Sequence, residues 1–147
     1  MDDVPTDSIE GIDGFSHVEL VFHFDRVPES KIERSARRPR SNPAWPKVGI
    51  FAQRGKNRPN RFGVSFARLL RRENRILVVQ GLDAIDGTPV IDIKPVMKEF
   101  LPFGCIEQPA WSHELMASYW EKKPVHQSSD PTPSSVTSAS GRAPRQP

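Results

Sequence analysis

The 147 residues are 36% hydrophobic and 27% charged with a net charge of +3, a globular composition with material for one core and not two. No run of about 18 apolar residues exists to span a membrane. The start Met1-Asp2-Asp3 is acidic where a secretory signal is basic, and the lone Cys105 excludes an internal disulfide and disfavours a cysteine zinc site. A cytoplasmic setting without a metal is the expectation, and 15 prolines leave little room for long helices.

Residues 15–24 alternate, with Val18, Leu20, Phe22 and Phe24 on one face and His17, Glu19, Val21 and His23 on the other, which predicts a half-buried strand. Val48 to Ala52 reads as a second short strand. Phe62 to Asn74 fits either period: Phe62, Phe66, Leu69 and Leu70 suit a helix, while Val64, Phe66 and Leu70 suit a strand. Gly63 and the neighbouring strands favour a strand, turning at Glu73-Asn74 to pair with residues 76–82. After the turn residues Gly87-Thr88-Pro89 comes a further strand, with Val90 and Asp92 on one side and Ile91 and Ile93 on the other. Trp111, Leu115 and Tyr119 recur at i, i+4 and i+8, predicting an amphipathic helix over 110–122 with Ser112 as its cap.

From Pro124 onward, 13 of 24 residues are Pro, Ser or Thr. Such a segment buries too little to offset its ordering entropy, so a disordered tail over 124–147 is expected behind a folded domain over 8–123. Several strands and one late helix predict a mainly β domain.

Charge is strongly segregated. Residues 1–30 carry a net −7, residues 31–75 a net +12 with fourteen bases against two acids, and residues 76–123 a net −3. The central block suits a polyanion such as RNA, or equally a solvated face paired with the acidic start. Within it, Arg54, Lys56, Arg58 and Arg61 place four cations in eight residues on a loop constrained by Gly55 and Pro59. Arginine presents a planar fork that fits carboxylate or phosphate. A second segment, residues 81–95, holds Asp83, Asp86 and Asp92 among turn and β-branched residues. Asp86 before Gly87 reads as turn structure; Asp92 either pairs with Lys94 on the same strand face or accepts hydrogen bonds from a bound diol or amine. His17 and His23 lie roughly 20 Å apart along an extended strand, too far to share a metal.

Together these segments resemble the TsaA-like family, also called TrmO-like or YaeB-like. The matching residues are Gly14-Phe15-Ser16-His17, Arg38-Pro39-Arg40, Val48-Gly49-Ile50-Phe51-Ala52 with Arg54, Arg58-Pro59-Asn60 with Gly63, and Asp86 to Pro95. The resemblance implies a small single-sheet β-barrel-like domain that binds S-adenosylmethionine, usually as a homodimer, and methylates N6 of the modified adenosine at position 37 of transfer RNA. It implies cofactor contacts from Arg54, Asp83 and the Val90-Ile91-Asp92-Ile93 strand. Asp92 and Lys94 become the candidates for handling the N6 proton, and Arg37, Arg38, Arg40, Arg58 and Arg61 the phosphate contacts.

Relative to the family pattern the chain starts just before the Phe15 strand, so the barrel is either incomplete, with an open edge, or closes some other way. Asp25 replaces a common His, Gly55-Lys56-Asn57 a Ser-Pro type sequence, and Val96 a common Tyr. A methyltransferase is the leading expectation. The alternatives are a non-catalytic RNA- or cofactor-binding remnant, and a domain whose basic block meets an acidic protein.

Overall fold

The computed structural model describes residues 4–121; the tail expected from Pro124 onward lies outside them. Among the described residues there are six strands: β1 (His17–His23), β2 (Ala36–Arg37), β3 (Val48–Gly49), β4 (Phe62–Glu73), β5 (Ile76–Gln80) and β6 (Val90–Pro95). One helix, α1 (Ala110–Met116), follows them. The main sheet has the order β5-β4-β1-β6 with antiparallel neighbours, and β2 pairs with β3 in a separate two-stranded ribbon. The domain is mainly β, as the sequence predicts.

β1 is one of the two inner strands, and its alternate apolar residues bury one face. Val18, Leu20 and Phe22 are buried at 0, 4 and 1% exposure, and each such side chain contributes about 1.5–3 kcal/mol when fully buried. Opposite them on β4 stand Ala67, Ser65 and Gly63, small residues that leave room for the layer above. Ile12 packs on this face, with Ile9, Leu69, Leu77, Val79, Leu82, Val90 and Ile93 around it.

The ambiguous stretch is strand over Phe62–Glu73, and the predicted turn follows at once, with Asn74 at a φ of 55°. Its helix-like spacing arises because Phe66 points outward while a bulge at Leu70 interrupts the alternation, the pairing stepping from Leu69↔Val79 to Arg71↔Val78. That bulge brings Arg72 to the inner face, opposite Leu77. There its guanidinium donates to the Ile9 carbonyl at 3.1 Å and pairs with Glu10 at 2.8 Å. Glu10, which accepts the bond, and the charge of Asp13 hold the Arg72 proton more tightly than usual, against the opposing effect of burial.

Four expectations need correction. The described strands do not close into a barrel: β5 and β6 are the two edges of an open sheet, because four strands cannot tilt and stagger enough to meet. Residues 48–52 are not one strand; after Val48–Gly49 the backbone tightens into a 3₁₀ turn over Ile50–Ala52, which buries Ile50 at 2% exposure. Val90 and Ile93 share the core side, because a bulge skips Ile91 between the pairs Val21↔Asp92 and Phe22↔Val90. The late helix ends at Met116, and Ser112 is no cap: Pro109 holds that position, and the Ser112 hydroxyl donates back to the Pro109 carbonyl at 2.7 Å.

Candidate functional site

The basic loop is built by three short tethers. Gln53, 9% exposed, donates through Nε2 to the carbonyls of Arg37 and Val48, joining the β2–β3 ribbon just before Arg54. The amide of Glu33 donates to the Asn57 carbonyl at 2.8 Å. At the far end, Arg61 N–H donates to the Arg58 carbonyl and Phe62 N–H to Asn60 Oδ1, closing a turn in which Arg61 adopts a φ of 52°. A left-handed non-glycine residue is uncommon and marks a shape set by its surroundings.

Arg54 leaves this loop and donates Nη2 to the Val64 carbonyl at 2.7 Å. Beyond it, the chain following β5 runs beside β4, and the Asp83 amide donates to the hydroxyl of buried Ser65 at 3.0 Å. Arg54, Arg58 and Asp83 thereby line one cleft of about 300 Å³, with Val21, Val64 and Phe62 among its apolar walls. The Arg58 guanidinium stands 5.9 Å from the Phe51 ring centroid, and its Nε is buried without a hydrogen-bond partner. Such an orphaned charged donor is costly unless a ligand completes it.

A residue absent from the expected site closes the rim. The Tyr119 hydroxyl donates to Asp83 Oδ1 at 2.6 Å. Its pKa is pushed up to about 12, first by burial and then by the bond to Asp83 and that carboxylate's charge, while the charges of Arg40 and Arg54 act the other way.

The remaining expected site residues are distributed around this cleft. Asp92 lies opposite Val21, which itself lies opposite Val64, so about 10 Å of sheet separates Asp92 from the Arg54 anchor. The cleft reaches Val21 and stops one strand short of Asp92. Asp92 is ion-paired with Lys94, as one of the two sequence readings holds, and its Oδ1 also accepts the Ile93 amide at 2.9 Å. Val90 and Ile93 face the core, while Ile91, at the bulge, is exposed. Among the phosphate candidates, Arg37 pairs with Glu33 at 3.6 Å, Arg38 donates to the Trp45 carbonyl, and Arg61 donates to the Val27 carbonyl at 3.1 Å. Arg40 is exposed, at a φ of 46°. Asp86 sits in the turn closed by Thr88 N–H on the Ile85 carbonyl. Among the described residues, no group of three or more His, Cys, Asp or Glu side chains is placed to hold a metal ion, and no helix is long and apolar enough to cross a membrane.

Gln53, Ser65 and Tyr119 were not marked as site residues by the sequence. Gln53 carried a weak signal, as a polar residue between an apolar run and Arg54. Ser65 and Tyr119 act across 18 and 36 residues, and no local pattern encodes that.

The tRNA-methyltransferase O N-terminal domain model matches residues 1–100. A human protein named tRNA (adenine(37)-N6)-methyltransferase is 33% identical over 130 residues, 88% of this chain and 29% of that one. The Escherichia coli protein of the same name is 37% identical over 101 residues, 66% of this chain and 41% of that one. A probable S-adenosyl-L-methionine-binding protein of Pyrococcus abyssi is 38% identical over 95 residues, 65% of this chain and 49% of that one. The crystal structure of a TrmO from P. aeruginosa superposes with a TM-score of 0.54 at 32% identity, covering 71% of this chain and 41% of that one. The chain spans less than half the length of each of these relatives. With two thirds of its residues inside the matched segment, the chain belongs to the tRNA-methyltransferase O N-terminal domain family.

Proposed function

We propose that the chain binds S-adenosylmethionine in the cleft lined by Arg54, Arg58 and Asp83 and directs methylation to N6 of an adenosine in transfer RNA. The observation that carries this reading is the donor set of the cleft: two guanidinium groups, one with a buried unpartnered Nε, facing one carboxylate over apolar walls. That set complements a ligand with a carboxylate, a hydroxyl-bearing ribose and a flat base. The names of the relatives supply the same cofactor and substrate.

Bound there, the cofactor supplies an electrophilic methyl carbon on a sulfonium sulfur. This chain's residues then have to position reactants in line. Arg54 uses one nitrogen on Val64 and keeps other donors for the ligand carboxylate. Asp83, held by Ser65, accepts from ribose. An adenine N6 attacks poorly because its lone pair is delocalised, so a group must accept its proton as the new N–C bond forms. Asp92, beside Lys94 and one strand from the cleft, is the candidate acceptor. On β6, Val90 and Ile93 would support the cofactor site from the core side, and Ile91 and Asp92 would border it only where the ligand extends past β1. Arg37, Arg38, Arg40, Arg58 and Arg61 would contact phosphates, since each guanidinium has more donors than its internal contacts use. A domain over 8–123, a homodimer and a cytoplasmic setting complete the reading; the exposed thiol of Cys105 suits a reducing compartment.

The position of Asp92 outside the cleft lining favours a second reading, binding without turnover. Incubation with methyl-labelled cofactor and transfer RNA lacking the methyl group separates the two. Label recovered as N6-methylated adenosine supports the enzyme. Cofactor binding without incorporation supports the second reading, and absence of binding overturns both.

A further inference from the structure

We propose that Tyr119 is a positioning residue for the nucleoside part of the ligand: its hydroxyl occupies Oδ1 of Asp83 and leaves Oδ2 as the acceptor for a ribose hydroxyl. The inference rests on the reading that an adenosyl cofactor occupies the cleft, and adds a residue outside the 1–100 segment that defines the family match.

Three observations carry it. First, Asp83 is the carboxylate of the cleft that also holds Arg54 and Arg58, and its backbone is already fixed by buried Ser65. Second, the 2.6 Å bond from Tyr119 reaches that side chain from the segment after α1. Third, this segment is fastened to the basic block independently. Trp45 Nε1 donates to Glu114 Oε2 at 2.7 Å, and the Trp45 carbonyl accepts from Arg38. Two tethers thus bring residues 110–120 to the rim of the cleft.

The chemistry follows from the number of lone pairs. A carboxylate with both oxygens available can take a diol in several geometries. With Oδ1 engaged, the remaining acceptor has one orientation, and its ordering is complete before the ligand arrives. A phenol is already neutral at physiological pH, so Tyr119 donates without adding negative charge beside the ligand carboxylate.

The test is titration calorimetry of Y119F and the unaltered chain with S-adenosylhomocysteine and its 2′-deoxy and 3′-deoxy counterparts. The substitution removes one oxygen from a residue 37% exposed, and circular dichroism checks that the fold is retained. We expect the full nucleoside to weaken by about tenfold, the scale of one charge-assisted hydrogen bond. The counterpart lacking the hydroxyl that Asp83 holds should weaken less than about twofold, because the interaction Tyr119 supports is already gone. Equal weakening for all three ligands would reduce Tyr119 to a structural role and overturn the proposal, as would no weakening at all. Failure of the unaltered chain to bind any of the three would instead remove the cofactor reading, and this inference with it.

Discussion

The ring of Phe22 lies directly over the backbone of Gly63: a Cβ built at Gly63 would stand 2.3 Å from Phe22 Cε2 and 2.9 Å from the Phe24 ring. Phe22 is 1% exposed and stacks edge-on with Phe24 at 5.4 Å, so neither ring can move aside cheaply. Gly63→Ala is expected to lower stability by about 1–3 kcal/mol through overpacking. Urea denaturation measures it; an unchanged midpoint would show that the rings yield.

The bulge in β6 separates two isoleucines that strict alternation would place together. Ile91 is 49% exposed, whereas Ile93 packs against the core cluster of Ile12, Val18, Leu20 and Ala67. Ile91→Ala is expected to change stability by less than about 0.5 kcal/mol, and Ile93→Ala to cost about 1–3 kcal/mol. Thermal unfolding of the two variants side by side checks the order.

Tyr119 is the chain's one tyrosine, so phenolate absorbance reports it alone. Its pKa is raised to about 12 in the folded protein, chiefly by burial and then by Asp83, against about 10 in an unfolded chain. The proton is held more tightly in the folded state. The contribution to stability is therefore complete below about pH 10 and is lost as pH rises through about 12. A spectrophotometric titration should show a midpoint near 12 that moves to about 10 in denaturant and falls partway in Asp83→Asn. A native midpoint near 10 would dissolve the contact.

Arg40 is exposed and lies near enough to Tyr119 to favour its anion. As a phosphate contact it should contribute about 0.7–0.9 to the slope of log K against log salt. Anisotropy titrations of transfer RNA at several salt concentrations should show Arg40→Ala losing that increment with no change in thermal midpoint. An unchanged slope would place the RNA elsewhere.

The legible parts of the fold were those encoded by neighbouring residues. β1 shows in Val18, Leu20 and Phe22 at every second position, and the β4–β5 hairpin in a polar turn between apolar runs. The bulges at Leu70 and Ile91 were not legible, since an extra residue in one strand has meaning only against its partner. The site divides in the same way. Arg54, Arg58 and Asp83 stand out as charged residues among loop formers, and the structure brings them together. Asp92 looked equivalent to Asp83 in sequence, but β1 intervenes between it and the Arg54 anchor. Ser65 and Tyr119 are ordinary strand and post-helix residues until the chain folds them onto Asp83.

A site for S-adenosylmethionine built from Arg54, Arg58 and Asp83 stands or falls with calorimetric titration of that ligand into the unaltered chain and into Arg54→Ala. Saturable binding to the first is expected, with an affinity weakened at least about tenfold, or about 1.4 kcal/mol, in the second. Equal affinity in the two proteins, or no binding to the unaltered chain, would rule the site out.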